Sequence, residues 1–72
     1  MGTTRTKDKA MLTVILRNTV SGKVETLQRA TKNEALANSV FRNNSKSVAQ
    51  GYELELQRKG FFGLSIDKKV KG

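Results

Sequence analysis

The sequence predicts an α+β fold in which a small antiparallel sheet carries one helix on one face. Residues 52–57 alternate apolar with polar side chains, as strands with one buried face do. In residues 11–17 apolar side chains recur at every second position, and Met11 and Ile15 make the opposite face partly apolar too. Between residues 36 and 41, apolar side chains instead recur at spacings of three and four, as they do along a helix. The expected order is strand, strand, helix, strand, and a fourth strand follows if residues 61–67 also pair.

The first two predicted strands form a hairpin. Leu12, Val14 and Leu16 alternate along the segment MLTVILR, whose branched side chains favour a strand. Residues 18–23 contain the Asn, Ser and Gly that are typical of turns. Residues 24–30 (VETLQRA) then return as the second strand. Their weaker pattern leaves the register of the hairpin open.

The helix is predicted to begin at Thr31. Thr31 and Glu34 match a capping box, in which the hydroxyl accepts from the amide three residues on and the carboxylate reaches back to the first amide. The helix is expected to end within residues 43–47, and the alternative is a longer helix to Gln50, capped by Gly51. The apolar stripe that would face the sheet consists of Leu36, Ala37, Val40 and Phe41.

The third predicted strand alternates Tyr52, Leu54 and Leu56 with polar residues that would face water. Residues 58–60 are predicted to form a turn. Residues 61–67 (FFGLSID) are predicted to form the fourth strand, although its Gly63 weakens the pattern.

The predicted domain spans residues 10–67. A chain of 72 residues hides only about 60% of its unfolded surface, so a single thin core is expected. Residues 1–9 and 68–72 are mostly polar and charged. By composition they are expected to be a disordered basic arm and a disordered basic tail.

The charge of the chain favours a polyanionic partner. Fourteen Lys and Arg against six Asp and Glu give a formal charge of +8, which attracts nucleic acid. Phe61 is a candidate for stacking on a base beside these cations, because adjacent Phe61 and Phe62 point to opposite faces of an extended segment. The alternative is a basic surface that only keeps the protein soluble. The predicted phosphate-binding residues lie in the arms, loops and element ends: Arg5, Lys7, Lys9, Arg17, Lys23, Arg29, Arg58, Lys59, Lys68 and Lys69.

The composition argues against an enzyme. The chain has no His and no Cys, so it lacks a thiolate nucleophile, a disulfide and the usual zinc ligands, and no metal or cofactor is expected. Glu53 and Glu55 are close enough to form a carboxylate pair, but they fit better as solvated residues paired with cations across the sheet. No apolar run approaches the roughly 20 residues that cross a bilayer. A cytoplasmic protein without a membrane partner is expected.

Two functions fit these features. The first is a non-enzymatic accessory protein, such as phages and plasmids encode, that binds the phosphate backbone of DNA or RNA. The alternative is a protein-interaction module, an inhibitor or adaptor of host transcription for example. It would contact an acidic partner through an exposed sheet face or edge that includes Met11, Ile15 and Phe61. A homodimer through a sheet edge is also compatible with so small a sheet.

Two short stretches resemble known families. Residues 22–35 are similar to the strand-to-helix passage in the arm-binding domains of phage-type integrases, which implies a sheet docked in the DNA major groove. Those domains place three strands before the helix, where this chain has two. The element order, Thr31-x-x-Glu34-Ala35-Leu36 and residues 51–53 together resemble a small phage inhibitor of RNA polymerase. This chain lacks the acidic bias expected of such an inhibitor.

Overall fold

The computed structural model describes residues 10–61 and 63–72, and it confirms the α+β prediction with four strands and one helix. The strands lie in the order β2-β1-β3-β4, and all neighbours are antiparallel. Strands β1 and β3 are therefore central, and β2 and β4 form the two edges. The elements are β1 (Met11–Asn18), β2 (Val24–Thr31), α1 (Glu34–Ser45), β3 (Tyr52–Gly60) and β4 (Gly63–Lys71).

The core lies between α1 and one face of the sheet. Its buried cluster consists of Leu12, Val14, Ala37, Phe41, Leu54 and Leu56. Val40 packs at the margin of this cluster, whereas Leu36 is exposed, so the predicted apolar stripe is correct except for Leu36. Successive helical residues are about 100° apart around the axis, which turns Leu36 away from the sheet when Ala37 faces it.

The start of α1 differs from the prediction. The cap is Asn33, whose Oδ1 accepts from the Leu36 amide at 3.0 Å. Thr31 is still the last residue of β2, where it pairs with Leu12, and the first helical residue is Glu34, which is two positions too late for Thr31 to be the cap. The capping box at Thr31 is therefore wrong. Its Glu34 carboxylate instead contacts Arg58.

The other end of α1 and the first hairpin agree with the prediction. The helix ends at Ser45, within the expected range, and does not continue to Gln50. In the turn after β1, Asn18 Oδ1 accepts from the amides of Val20 and Ser21 at 2.9 and 3.0 Å, which is the backbone-bonding role expected of Asn in a turn.

The second hairpin lies further along the chain than predicted. Arg58 and Lys59 belong to β3, and the chain reverses between the paired residues Gly60 and Gly63. Gly63 has a φ of +116°, which favours glycine.

The predicted disordered tail at residues 68–72 is wrong. β4 continues to Lys71, because residues 68–71 complete an antiparallel ladder with residues 53–56 of β3. Gly72 follows the strand, and its amide donates to the Tyr52 carbonyl at 3.0 Å. The predicted arm at residues 1–9 lies outside the described residues.

Candidate nucleic-acid interface

The sheet face opposite α1 is covered by no other helix or strand in the described part of the chain. We call it the open face. Residues that pair across an antiparallel ladder direct their side chains to the same face, so the register defines its members. Its rows across β1, β3 and β4 are Arg17, Glu53 and Lys71; Ile15, Glu55 and Lys69; Thr13, Gln57 and Ile66; and Met11, Lys59 and Leu64. The expectation that Ile15 is exposed on this face is nevertheless wrong, because its side chain is only 4% exposed.

An ion pair occupies the middle of the open face. Arg17 donates from Nε and Nη2 to the two carboxylate oxygens of Glu55, each at 3.3 Å, and Gln57 Nε2 donates to Glu55 Oε1 at 3.1 Å. Glu55 is only 2% exposed, so its predicted solvation is wrong, although its predicted pairing with a cation across the sheet is present. A buried carboxylate requires such partners. Arg17 therefore pairs with the buried carboxylate of Glu55, and it is also a candidate phosphate contact.

The pKa of Glu55 is lowered by this arrangement. Burial by itself would raise the pKa of the carboxyl group, because it disfavours the charged form. Hydrogen bonds from Arg17 and Gln57, and the nearby charges of Arg17 and Lys69, outweigh burial and lower the pKa. Glu55 is therefore ionised when the protein is folded at neutral pH.

Acid is expected to destabilise the protein through Glu55. Because the folded-state pKa lies below the ordinary value of 4.5, the contribution to the free energy of unfolding is present above that pH and is lost as the pH falls through the folded-state pKa. The variant Glu55→Gln has no such group. Urea denaturation at a series of pH values should show wild type losing stability more steeply than Glu55→Gln below the ordinary pKa. Parallel curves for the two proteins would contradict this role of Glu55.

Two exposed lysines lie at the β4 side of the open face. Lys69 Nζ and Lys71 Nζ each lie 3.8 Å from an oxygen of Glu53. The Lys71 side chain is 74% exposed, so a contact at this long distance leaves most of the ammonium group in water, where it can turn towards a phosphate. Lys71 belongs to the predicted basic tail but was not among the predicted phosphate-binding residues. Its spacing of two from Lys69 is the signal that places both on one face of a strand.

The opposite end of the open face carries Lys59, which is exposed and takes part in no ion pair within residues 10–61 and 63–72. Two residues further on, Phe61 is 83% exposed at the start of the reversal into β4. Phe61 agrees with the expectation that one of the two adjacent Phe rings is exposed near Lys59. Phe62 lies outside the described residues.

Arg58 and Lys68 were predicted to contact phosphates, but the strand alternation directs them to the helix side. Arg58 Nε donates to Asp67 at 2.9 Å and its Nη2 donates to Glu34 at 2.8 Å. These hydrogen bonds raise the pKa of Arg58, which stays charged. Lys68 Nζ donates to Asn38 Oδ1 of α1 at 2.9 Å. Both side chains are therefore engaged in packing β4 and β3 against the helix.

The remaining predicted cations within the described residues lie outside the paired rows of the open face. Lys23 lies after the first turn and lines a shallow groove of about 260 Å³ together with Leu16 and Tyr52. Arg29 is exposed near the end of edge strand β2. The structure thus brings together Arg17, Lys59 and Lys69 of the predicted set and adds Lys71. Arg5, Lys7 and Lys9 lie outside the described residues.

The comparisons give no relative for this chain. No known family matches it, and neither do the curated proteins or the solved structures against which it was compared. Within residues 10–61 and 63–72, no helix has the length and apolar character needed to cross a membrane.

Proposed function

We propose that this chain is a non-enzymatic accessory protein that binds the phosphate backbone of DNA or RNA through its open face. The observation that supports the proposal is the presence of Lys59, Lys69 and Lys71 on a sheet face that no described helix covers. Ammonium groups on long flexible stems reach phosphates without a fixed docking geometry.

The spacing of these lysines fits a nucleic-acid strand. Lys59 is opposite Leu64, and Lys71 is opposite Glu53, which lies six positions before Lys59 in β3. At about 3.3 Å per strand residue, the three lysines cover roughly 20 Å along the sheet. Along the helix axis of B-DNA, each strand carries a phosphate about every 3.4 Å, so a duplex lying along this face presents several phosphates to the three lysines.

The open face is not uniformly positive, and this limits the kind of binding that it supports. Glu53 lies between Lys69 and Lys71, and Glu55 is paired with Arg17. Binding is therefore expected to depend on a few cations and to carry little sequence preference, since phosphate contacts hold no sequence information. The exposed ring of Phe61 adds one stacking surface beyond Lys59.

The dependence of affinity on salt tests the proposal. Each neutralised phosphate on duplex DNA contributes a slope of about −0.9 to log affinity against log salt, so three lysine contacts give about −2.7. The measurement is fluorescence anisotropy of a labelled duplex at increasing salt, with a single-stranded RNA of the same length as a second probe. An absence of binding to both probes at low salt, or an affinity that does not change with salt, would contradict the proposal.

A further inference from the structure

β4 is an edge strand, and its outer side pairs with no strand in the described part of the chain. The Gly72 amide donates to Tyr52 of β3, so alternation turns the N–H and C=O groups of Lys71 and Lys69 away from β3. Leu64 and Ile66 pair with odd-numbered residues of β3, as the two lysines do, so their backbone N–H and C=O groups also point away from β3. The outer edge of β4 thus offers backbone donors and acceptors at four residues whose side chains lie on the open face.

The side chains along this edge divide into an apolar half and a basic half. Leu64 is 61% exposed and Ile66 is 47% exposed, which is unusual for two apolar residues on one strand edge. Lys69 and Lys71 follow on the same face, and their side chains are 42% and 74% exposed. An extended segment lying here would meet two apolar side chains and then two positive charges.

The two edges of the sheet differ in how well they accept another strand. β2 has two register shifts in its ladder with β1, and such irregularities disrupt a regular edge. β4 has one shift, between the partners Leu56 and Gln57. A second copy of this chain would bring another formal charge of +8 to this basic edge, and the repulsion between the two copies opposes their association. Charge complementarity therefore favours an acidic occupant over a second copy of this chain.

We propose that the outer edge of β4 binds an extended segment of a partner protein by strand addition. In the antiparallel orientation, two acidic residues of the segment lie opposite Lys71 and Lys69, and two apolar residues lie opposite Ile66 and Leu64. Backbone hydrogen bonds supply affinity, and the alternate side chains supply selectivity. This contact goes beyond nucleic-acid binding and does not depend on it.

A synthetic peptide tests this edge. The probe is Glu-Thr-Glu-Thr-Val-Thr-Val, and its binding to the full chain is followed by fluorescence anisotropy and by amide hydrogen exchange in NMR. Saturating peptide should slow exchange roughly tenfold or more at the outward amides of Leu64, Ile66, Lys69 and Lys71. The Val70 amide should not change, because alternation directs it to β3. Binding without protection of the outward amides would overturn the proposal, as would an absence of binding.

Matched variants separate strand addition from simple charge attraction. The double variant Leu64→Thr and Ile66→Thr keeps all charges and should weaken peptide binding roughly tenfold, through lost apolar contact. The control Val24→Thr changes an exposed apolar residue on the β2 edge and should bind like wild type. Equal affinities for the two variants would overturn the proposal.

A nucleic-acid probe shows whether this edge is selective for a protein segment. A duplex oligonucleotide in place of the peptide should leave exchange at the four outward amides unchanged, since it has no strand to add. Protection of those amides by the oligonucleotide would overturn the assignment of the edge to a protein segment. Failure of the nucleic-acid proposal would instead appear in the salt titration and would leave the peptide result standing.

Discussion

Replacing Leu56 by alanine is expected to lower the free energy of unfolding by about 2 to 5 kcal/mol. Leu56 is 1% exposed and belongs to the core cluster with Val14 and Phe41, between the sheet and α1. The substitution removes buried apolar atoms and leaves a cavity that the neighbours fill only in part. Since small domains are stable by only about 5 to 15 kcal/mol, this is a large share of the total.

Urea denaturation measures this effect, and Leu64→Ala is its matched control. Leu64 is the same residue type in the neighbouring strand, but its side chain is exposed on the open face. The control should change the free energy of unfolding by about 0.5 kcal/mol or less. Comparable losses for the two variants would contradict the packing of Leu56 in the cluster between the sheet and α1.

Much of the fold could be predicted because its signals are local. The alternation of Leu12, Val14 and Leu16 and the helical spacing of Ala37 and Phe41 each fall within a few residues, and the structure confirms both elements. The errors arose where a distant partner decides the local structure. Thr31 has the residue type of a helix cap, yet its pairing with Leu12 keeps it in a strand.

The end of the chain shows the same limit. Residues 68–71 have the composition of a solvated tail, but pairing with residues 53–56 orders them as part of β4. Composition alone does not indicate that a neighbouring strand will pair with residues 68–71. The alternation of charges over Lys69 and Lys71, opposite Glu55 and Glu53, is consistent with this pairing only once the register is known.

The candidate interface was predicted in part, and the face of each strand residue explains the difference. With the turn predicted at residues 58–60, Arg58 and Lys59 would both lie at a loop tip. Because β3 continues to Gly60, alternation sends Lys59 to the open face and Arg58 to the helix side. Burial of Glu55 depends on Arg17, which is 38 residues away in sequence, and no local pattern indicates it.

Removing the exposed lysines of the open face is expected to reduce nucleic-acid affinity strongly. The variant with Lys59→Gln, Lys69→Gln and Lys71→Gln keeps polar side chains at three exposed strand positions and removes three phosphate contacts. At low salt, the affinity for duplex DNA should fall by more than roughly tenfold, and the salt slope should become shallower by about 2.7. Fluorescence anisotropy gives both values. A salt slope that keeps its wild-type value would show that these lysines do not contact phosphates.

A second triple variant controls for net charge. Lys32→Gln, Arg42→Gln and Lys46→Gln remove the same number of positive charges from α1 and its flanking connections. These residues form no ion pair among the described residues, so the substitutions break no internal contact of that kind. The two variants therefore have the same formal charge and differ in which side of the sheet has lost its cations.

The most direct measurement is the ratio of the dissociation constants of these two variants for one labelled duplex at one low salt concentration. Binding through the open face predicts that its variant binds roughly tenfold or more weakly than the helix-side variant. Equal dissociation constants would mean that affinity follows net charge alone, and the open face would not be the nucleic-acid interface.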